Sequence, residues 1–500
     1  MLTPNDLSAG YEPIPLTFVD LLEASPGKTA FVEDERDWSY EELRQAAHNV
    51  AARLITLGVK PTDRVALVAG NSAAFVAAQY GIFKSGAICV ALNTRLTPTE
   101  WQAILKHSGA RFAVADSTLL ASSPLETIHA LKPQLPELDL VVDSHQLMQP
   151  TEPRAIADFP EVRVDDPAIL VYTSGTTGRP KGCLHSHRSY ANSAIVTAGL
   201  KGLTADDRIL ASVPMFNAFG TLNCLMEAFV SGATVINQTV FEAGDALTRI
   251  QQHGVTNFLG TPTMWMRLLQ HAEFAPERVS TLRTGIMAGA VPPQGLSATW
   301  LELGCQQQQI FGMSEATSIL IDGKPCPGIE VQVTPDGELI SRGFNQMLEY
   351  FRDPAATAEK IRSGWVYSGD LVDSDLDNSI RITGRKDELI ITGGFNVTPA
   401  EVEDVLRAHS SVADAAAFSF PDEDLGQAVA AVVVPATGQQ LDFEQIMNHC
   451  RERLANYKLP KYLRSNAELA LTSNGKVQRF RHRQDLLDEL KINGSLDTQS

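Results

Sequence analysis

Ala168–His187 reads AILVYTSGTTGRPKGCLHSH: five apolar residues, then a loop built almost wholly from serine, threonine and glycine. The run from Ala168 to Tyr172 is short, apolar and ended at once by a turn signal, which predicts a buried strand. Thr173, Ser174, Thr176 and Thr177 supply four hydroxyls. Gly175 and Gly178 let another group approach the backbone closely. Successive N–H groups in such a turn form an anion-binding concavity, and Lys181 adds positive charge beside it. Polyphosphate would suit that chemistry. The P-loop signature does not align, because Lys181 stands between Pro180 and Gly182. Taken alone, the loop reads equally well as an ordinary Gly/Ser surface loop.

Working outward, helical and strand-like stretches alternate. Tyr40 to Leu57 has helical spacing and Asp63 to Gly70 is a short buried strand. Ala73 to Lys84 is helical, and Ala87 to Leu92, Phe112 to Asp116 and Asp139 to Asp143 are strands. Ala233 to Asn237 continues the pattern as a strand, and Pro262 to His271 as a helix. The alternation predicts α/β units with largely parallel sheet. From Ile329 the texture changes to IEVQVTPDGELISRG, whose period-2 pattern and Asp336-Gly337 turn predict a small β-rich unit. After Gly384 a compact α+β region follows, with helices at Glu401 to His409 and Phe443 to Leu454 and a strand at Ala428 to Pro435. The terminal GSLDTQS is expected to fray.

The bulk properties exclude several classes. Five hundred residues, 44% hydrophobic and 20% charged, describe a globular chain of two to four domains. A net charge of −18 argues against nucleic acid or an anionic membrane as the main partner. Against it, Arg451, Arg453, Lys458, Lys461, Arg464, Lys476, Arg479, Arg481 and Arg483 face only Glu452 and Glu468, a local excess that suits a small polyanion or a solvated helical face. The six cysteines form no C-x-x-C pair, so neither a zinc site nor a disulfide framework is indicated. No secretory signal is visible, and Ala73 to Leu92, the most apolar stretch, is too polar for a membrane span. The expected compartment is the cytoplasm.

Further unusual stretches follow the first in order: QQIFGMSEAT (Gln308 to Thr317), GWVYSGD (Gly364 to Asp370), GRKDELIITGGFNVTPAEVE (Gly384 to Glu403) and LTSNGKVQR (Leu471 to Arg479). With GVKPTDRVALVAGNS near the start and LANYKLPK near the end, they span nearly the whole chain. Together they resemble the AMP-forming acyl/aryl-CoA synthetase, adenylation-domain and luciferase superfamily. The resemblance implies a large N-terminal domain, residues 1–386, of two α/β subdomains plus a small β-barrel-like unit. It also implies a small mobile α+β C-terminal domain, residues 387–493, before a frayed tail at 494–500.

The implied chemistry joins a carboxylate to the α-phosphate of ATP, expels pyrophosphate and passes the acyl group to CoA. By resemblance, Thr173, Ser174, Gly175, Thr176, Thr177, Gly178 and Lys181 hold the phosphates, and Glu315 with Thr173 holds Mg²⁺, a hard ion suited to oxygen ligands. Gly289, Ala290, Phe311, Gly312 and Ser314 would surround the adenine side, and Asp370 and Arg385 the ribose. Lys476 would bridge substrate carboxylate and α-phosphate. Asp387 would be the hinge on which the C-terminal domain swings, and Gly393, Gly394 and Phe395 would line the CoA tunnel. The acyl pocket would draw on Asn217, Met264, Trp265, Met287, Met313 and Thr317, a soft apolar set without a second cation. That set favours an aryl or medium-chain alkyl monocarboxylate.

Three departures stand out. PMFNAFG places Asn217 where many relatives have histidine and where amino-acid-activating domains carry aspartate, which disfavours an amino-acid substrate. Glu349 replaces a usual glycine and Ala470 a usual proline. Two other readings stay open: an acyl-AMP ligase that loads a carrier-protein phosphopantetheine, and a non-catalytic nucleotide-binding protein. A homodimer is compatible with all of them.

Overall fold

The stretch that opens with Ala168 forms the strand Pro167–Thr173, and the chain returns along it as the antiparallel strand Lys181–Ser186. The structure is a computed structural model. It describes residues 11–492 except 24–26, 35, 120–121, 151–158, 174–180, 290–291, 293–294, 375–378, 394, 423 and 472–476. Seven strands make up this sheet, in the order Glu349–Tyr350, Lys181–Ser186, Pro167–Thr173, Ile88–Ala91, Arg64–Val68, Phe112–Ala115 and Leu140–Asp143. From Pro167–Thr173 to Leu140–Asp143 the pairing is parallel, as the alternation predicts.

A second sheet of nine strands has the same character. Thr29–Val32, Thr234–Asn237, Arg208–Ala211, Asn257–Gly260, Thr284–Met287 and Gln306–Met313 run parallel to their neighbours through its centre. The helix Ala73–Lys84 is buried from Ala73 to Phe83, which explains why its sequence is apolar on every face. Ser72 starts it by accepting the Phe75 N–H at 3.0 Å. Phe75, Tyr80 and Phe83 are 0–2% exposed, and each such side chain contributes about 1.5–3 kcal/mol by leaving water.

Trp265 and Trp300 pack edge to face at 4.8 Å in a separate core cluster. Gly285 makes room for them: a Cβ there would lie 2.4 Å from Trp265 Cζ2 and 2.6 Å from the Phe258 carbonyl oxygen. Gly285→Ala is therefore expected to cost about 1–3 kcal/mol. Chemical denaturation followed by tryptophan fluorescence checks this, and an unchanged midpoint would contradict the packing.

The chain divides into two compact units, residues 1–331 with 341–366, and 332–340 with 367–500. In the second, Phe395–Val397, Ile390–Thr392, Gly426–Pro435 and Val412–Asp422 form a sheet in that order, with Tyr462–Ser465 parallel to Gly426–Pro435. Ile390, Val402, Leu406, Ile446 and Cys450 share its core, so the helices Pro399–Arg407 and Phe443–Arg451 pack on this sheet.

Two elements carry no sequence signal. VADAAAFSFPD looks indifferent to strand because alanine has little β preference, yet Val412–Asp422 pairs along the whole of Gly426–Pro435. The helix His187–Leu200 is buried on nearly all sides and shows no apolar stripe. Its polar side chains are met both from within and from outside the helix: Ser193 Oγ donates to Ser189 O at 2.8 Å, and the Thr197 hydroxyl donates to the Glu227 carboxylate.

Candidate active site

The motif QQIFGMSEAT forms a bent strand and a tight reversal. Gln306–Gln309 pairs in parallel with Thr284–Met287, whereas Phe311 and Met313 pair antiparallel with Leu320 and Ala316. Ser314 and Glu315 make the turn between these strands. Gly312 permits it, because a Cβ there would stand 2.6 Å from the Ser318 backbone nitrogen.

Every backbone acceptor of the turn is held from outside the hairpin. The Met347 N–H donates to Glu315 O at 2.8 Å, and His185 Nε2 lies 2.6 Å from Ser314 O. The Glu315 carboxylate itself accepts from the Tyr350 hydroxyl. Lys181 Nζ stands 5.0 Å from the centroid of the same Tyr350 ring, within cation–π range. Thr317 Oγ1 meets Ser193 Oγ at 2.8 Å, and the Thr317 N–H donates to Asn345 O at 3.1 Å. One carboxylate, one ammonium and one phenol are thus gathered at a rigid turn.

His185 is fully buried, and burial pushes its pKa down to about 4, so the ring is neutral at pH 7. A carbonyl only accepts, so Nε2 carries the proton, and the bare Nδ1 stands 3.1 Å from Ser189 Oγ, which also reaches Ser186 O at 3.1 Å.

In the second unit, Asp370 and Arg385 occupy paired positions on the strands Trp365–Ser374 and Ile380–Arg385. Arg385 Nη1 donates to Asp370 Oδ2 at 3.2 Å and Nε to Asp387 Oδ1 at 3.1 Å. Lys386 donates to Glu338 at 2.8 Å and to Asp336 at 2.6 Å, and this contact with the Thr334 hydroxyl pushes the Asp336 carboxyl down to about 2. The Gly393 N–H donates to Leu425 O at 3.0 Å, and Phe395 stacks on Tyr457 at 4.6 Å.

The description "AMP-binding enzyme" fits residues 19–351, and its C-terminal counterpart, "AMP-binding enzyme C-terminal domain", fits 401–476. The chain belongs to the AMP-binding enzyme family. A 3-[(3aS,4S,7aS)-7a-methyl-1,5-dioxo-octahydro-1H-inden-4-yl]propanoyl:CoA ligase of Mycobacterium tuberculosis is 33% identical, covering 93% of this chain and 97% of the relative. A feruloyl-CoA synthase of Amycolatopsis sp is 32% identical over 91% of this chain and 95% of its own. Among solved structures, the anthranilate CoA ligase AuaEII in complex with anthranoyl-AMP superposes with a TM-score of 0.86 at 28% identity, covering 97% of this chain and 100% of that one.

Within this AMP-binding enzyme, the expected site residues have distinct surroundings. Phe311, Met313, Ser314, Glu315 and Lys181 are half-buried around the turn. Gly289 has φ +90°, with Thr261 the near neighbour of the space a side chain would fill. Asn217 Oδ1 accepts the Gly220 N–H at 2.8 Å at the start of the π-helix Phe219–Met226, a contact its carboxamide makes without charge. Met264 is half-buried between two core clusters. Met287 is buried, and Trp265 is 0% exposed with its indole N–H on Ile286 O at 3.0 Å, so both are core side chains in this structure. The Thr173 side chain, Ser174 to Gly178, Ala290, Gly394 and Lys476 lie outside the described residues.

The local basic excess near the C-terminus is neutralised in part by the fold. Lys458 pairs with Glu401, Lys461 with Asp422, Arg464 with Glu489, and Arg479 with both Glu388 and Glu403. These partners lie far off in sequence, so a linear scan sees only the positive members. Two departures also resolve. Glu349 is exposed on a short extended strand where no positive φ is needed. Ala470 donates its N–H to His482 Nε2 at 3.0 Å, a bond that proline could not make.

Sequence reasoning missed His185, Asn345 and Tyr350 as functional candidates and took Arg479 only as one member of the basic set. Tyr350 is adjacent to the Glu349 departure and Arg479 ends the LTSNGKVQR motif, but no spacing rule singles out His185 or Asn345.

Proposed function

We propose that the protein is an AMP-forming acid–CoA ligase acting on a monocarboxylate with an apolar or aromatic body. The observation that carries this reading is the Glu315 turn, fixed beside Lys181 and Tyr350 in a chain similar over 91–93% of its length to named CoA ligases. A substrate carboxylate oxygen attacks the α-phosphorus of ATP, the bond to the pyrophosphate oxygen breaks, and acyl-AMP forms. The CoA thiol then loses its proton and attacks the acyl carbon, and AMP leaves.

Anions meet in the first step, so the chain's own cations and N–H groups lower its barrier. Ser174 to Gly178 and Lys181 steady the β- and γ-phosphates. Phe311, with Gly289, Ala290, Gly312 and Ser314, borders adenine, and Asp370 with Arg385 takes the ribose hydroxyls. Lys476 bridges the reacting carboxylate and the α-phosphate. With Thr173, Glu315 would hold a hard cation whose remaining ligands are phosphate and water oxygens. Mg²⁺ bound there with Thr173 would neutralise phosphate charge.

Residues 387–493 act as a mobile domain turning at Asp387, and Gly393, Gly394 and Phe395 admit the pantetheine arm of CoA. Asn217, Met264, Met313 and Thr317, with Trp265 and Met287 behind them, shape the acyl site. The neutral Asn217 and the methionines favour a ring or alkyl body over a second carboxylate. The bodies named for the relatives, feruloyl and a fused-ring propanoyl group, are of this kind.

Pyrophosphate release across a panel of aryl and alkyl acids, with and without CoA, tests the proposal. Turnover that requires CoA, and is fastest with an aromatic or medium-chain monocarboxylate, is the expected result. A single stoichiometric burst indifferent to CoA would replace the acceptor by a carrier protein.

A further inference from the structure

We propose that His185 is a positioning residue for adenylate formation: its imidazole fixes the Ser314–Glu315 turn and thereby the direction of the Glu315 side chain. The inference rests on the role given to Glu315 above.

The geometry is that of a clamp. Ser314 and Glu315 lie between the last ladder pair, Met313 with Ala316, so neither turn carbonyl has a partner inside the hairpin. A buried carbonyl left unpaired costs free energy, and each here is satisfied from elsewhere. The Glu315 carbonyl takes the Met347 N–H, and the Ser314 carbonyl takes the His185 imidazole across 129 residues of sequence. With both peptide planes held, the Cα–Cβ bond of Glu315 has one direction.

The imidazole is itself fixed from behind. Its Nδ1 faces Ser189 Oγ, on the first turn of the helix His187–Leu200. One turn further along the same helix face, Ser193 Oγ meets Thr317 Oγ1. A single helix face therefore grips the reversal on both sides, at Ser314 through His185 and at Thr317 directly. The ring also packs edge to face on Tyr190 at 5.0 Å. His185 contacts the backbone of the turn and not the Glu315 carboxylate, so it acts through another residue.

His185→Leu keeps the volume and removes the donor, whereas His185→Gln keeps an N–H donor. In the full chain, His185→Leu is expected to slow adenylate formation about ten- to a hundredfold and to raise the Mg²⁺ concentration for half-maximal rate. Thioester formation from supplied acyl-adenylate, which needs no pyrophosphate chemistry, should stay within about twofold, and His185→Gln should recover most of the lost rate. Equal slowing of both half-reactions, or normal adenylation, would overturn the proposal. Ser189→Ala provides a second test should the leucine variant not fold. Without the Ser189 hydroxyl the imidazole loses the contact that holds its Nδ1 side in place, and a several-fold loss confined to adenylation is expected, of order one hydrogen bond. An unchanged rate would count against the clamp. Glu315→Gln separates the two ideas: normal adenylation there removes the role of Glu315 and the clamp with it, while a slow Glu315→Gln beside a normal His185→Leu removes the clamp alone.

Discussion

Lys476→Ala is expected to lower acyl-adenylate formation by about a hundred- to a thousandfold, the scale of losing one donor aimed at developing transition-state charge. Two anions must approach within bonding distance in that step, and the role proposed for Lys476 is that of a single ammonium serving both. The thioester step starts from an uncharged acyl carbon and has no such need, so transfer from supplied acyl-AMP to CoA should be largely spared. Rapid-quench measurement of each half-reaction with the same preparation checks this, and a parallel fall in both would remove Lys476 from its role. Three residues on, Arg479 is anchored: Nη2 donates to Glu403 and Nη1 to Glu388, each at 2.8 Å, and Nε to Ala417 O at 3.1 Å.

The second large effect concerns stability. Lys201 and Glu227 form an ion pair whose side chains are both 0% exposed. Glu227 also accepts from the Thr197 hydroxyl and, at 2.7 Å, from Asn223 Nδ2. Lys201→Met would leave a buried carboxylate without its cation, and a loss of about 3–5 kcal/mol is expected. All five tryptophans, at 38, 101, 265, 300 and 365, lie in the unit that contains this pair, so tryptophan fluorescence reports its unfolding. The expected result is a lower denaturant midpoint at unchanged slope. Lys201→Met with Glu227→Gln keeps acceptors for Thr197 and Asn223 and removes the orphan charge, so most of the loss should return. A double variant as unstable as the single one would mean that shape, not charge, dominates this site.

Much of the architecture is legible because it is written in short windows. The strand from Ala168, the helix Ala73–Lys84 and the hairpin at Asp336-Gly337 each depend on the periodicity or turn chemistry of a handful of neighbours. The order of the motifs likewise leads directly to the AMP-binding enzyme family. Legibility fails where polar residues are buried. His187–Leu200 has no apolar stripe because its neighbours, not its own periodicity, satisfy and cover it.

The candidate site divides along the same line. Glu315, Lys181, Asp370 and Arg385 can be picked out from motifs, since each motif carries its own chemical type. The carboxylate's hold on Tyr350, the His185 clamp and the pairing of the C-terminal cations with distant acids depend on sheet register and on which helix face turns inward. Trp265 shows the same division. The sequence presents it as a pocket aromatic, while the close approach at Gly285 seats it in the core. Sequence by itself determined the kinds of element, their order and the chemical groups brought to the reaction. Tertiary structure alone decided which groups touch, because a contact between residues 129 apart is set by the sum of all the packing between them and by no local pattern.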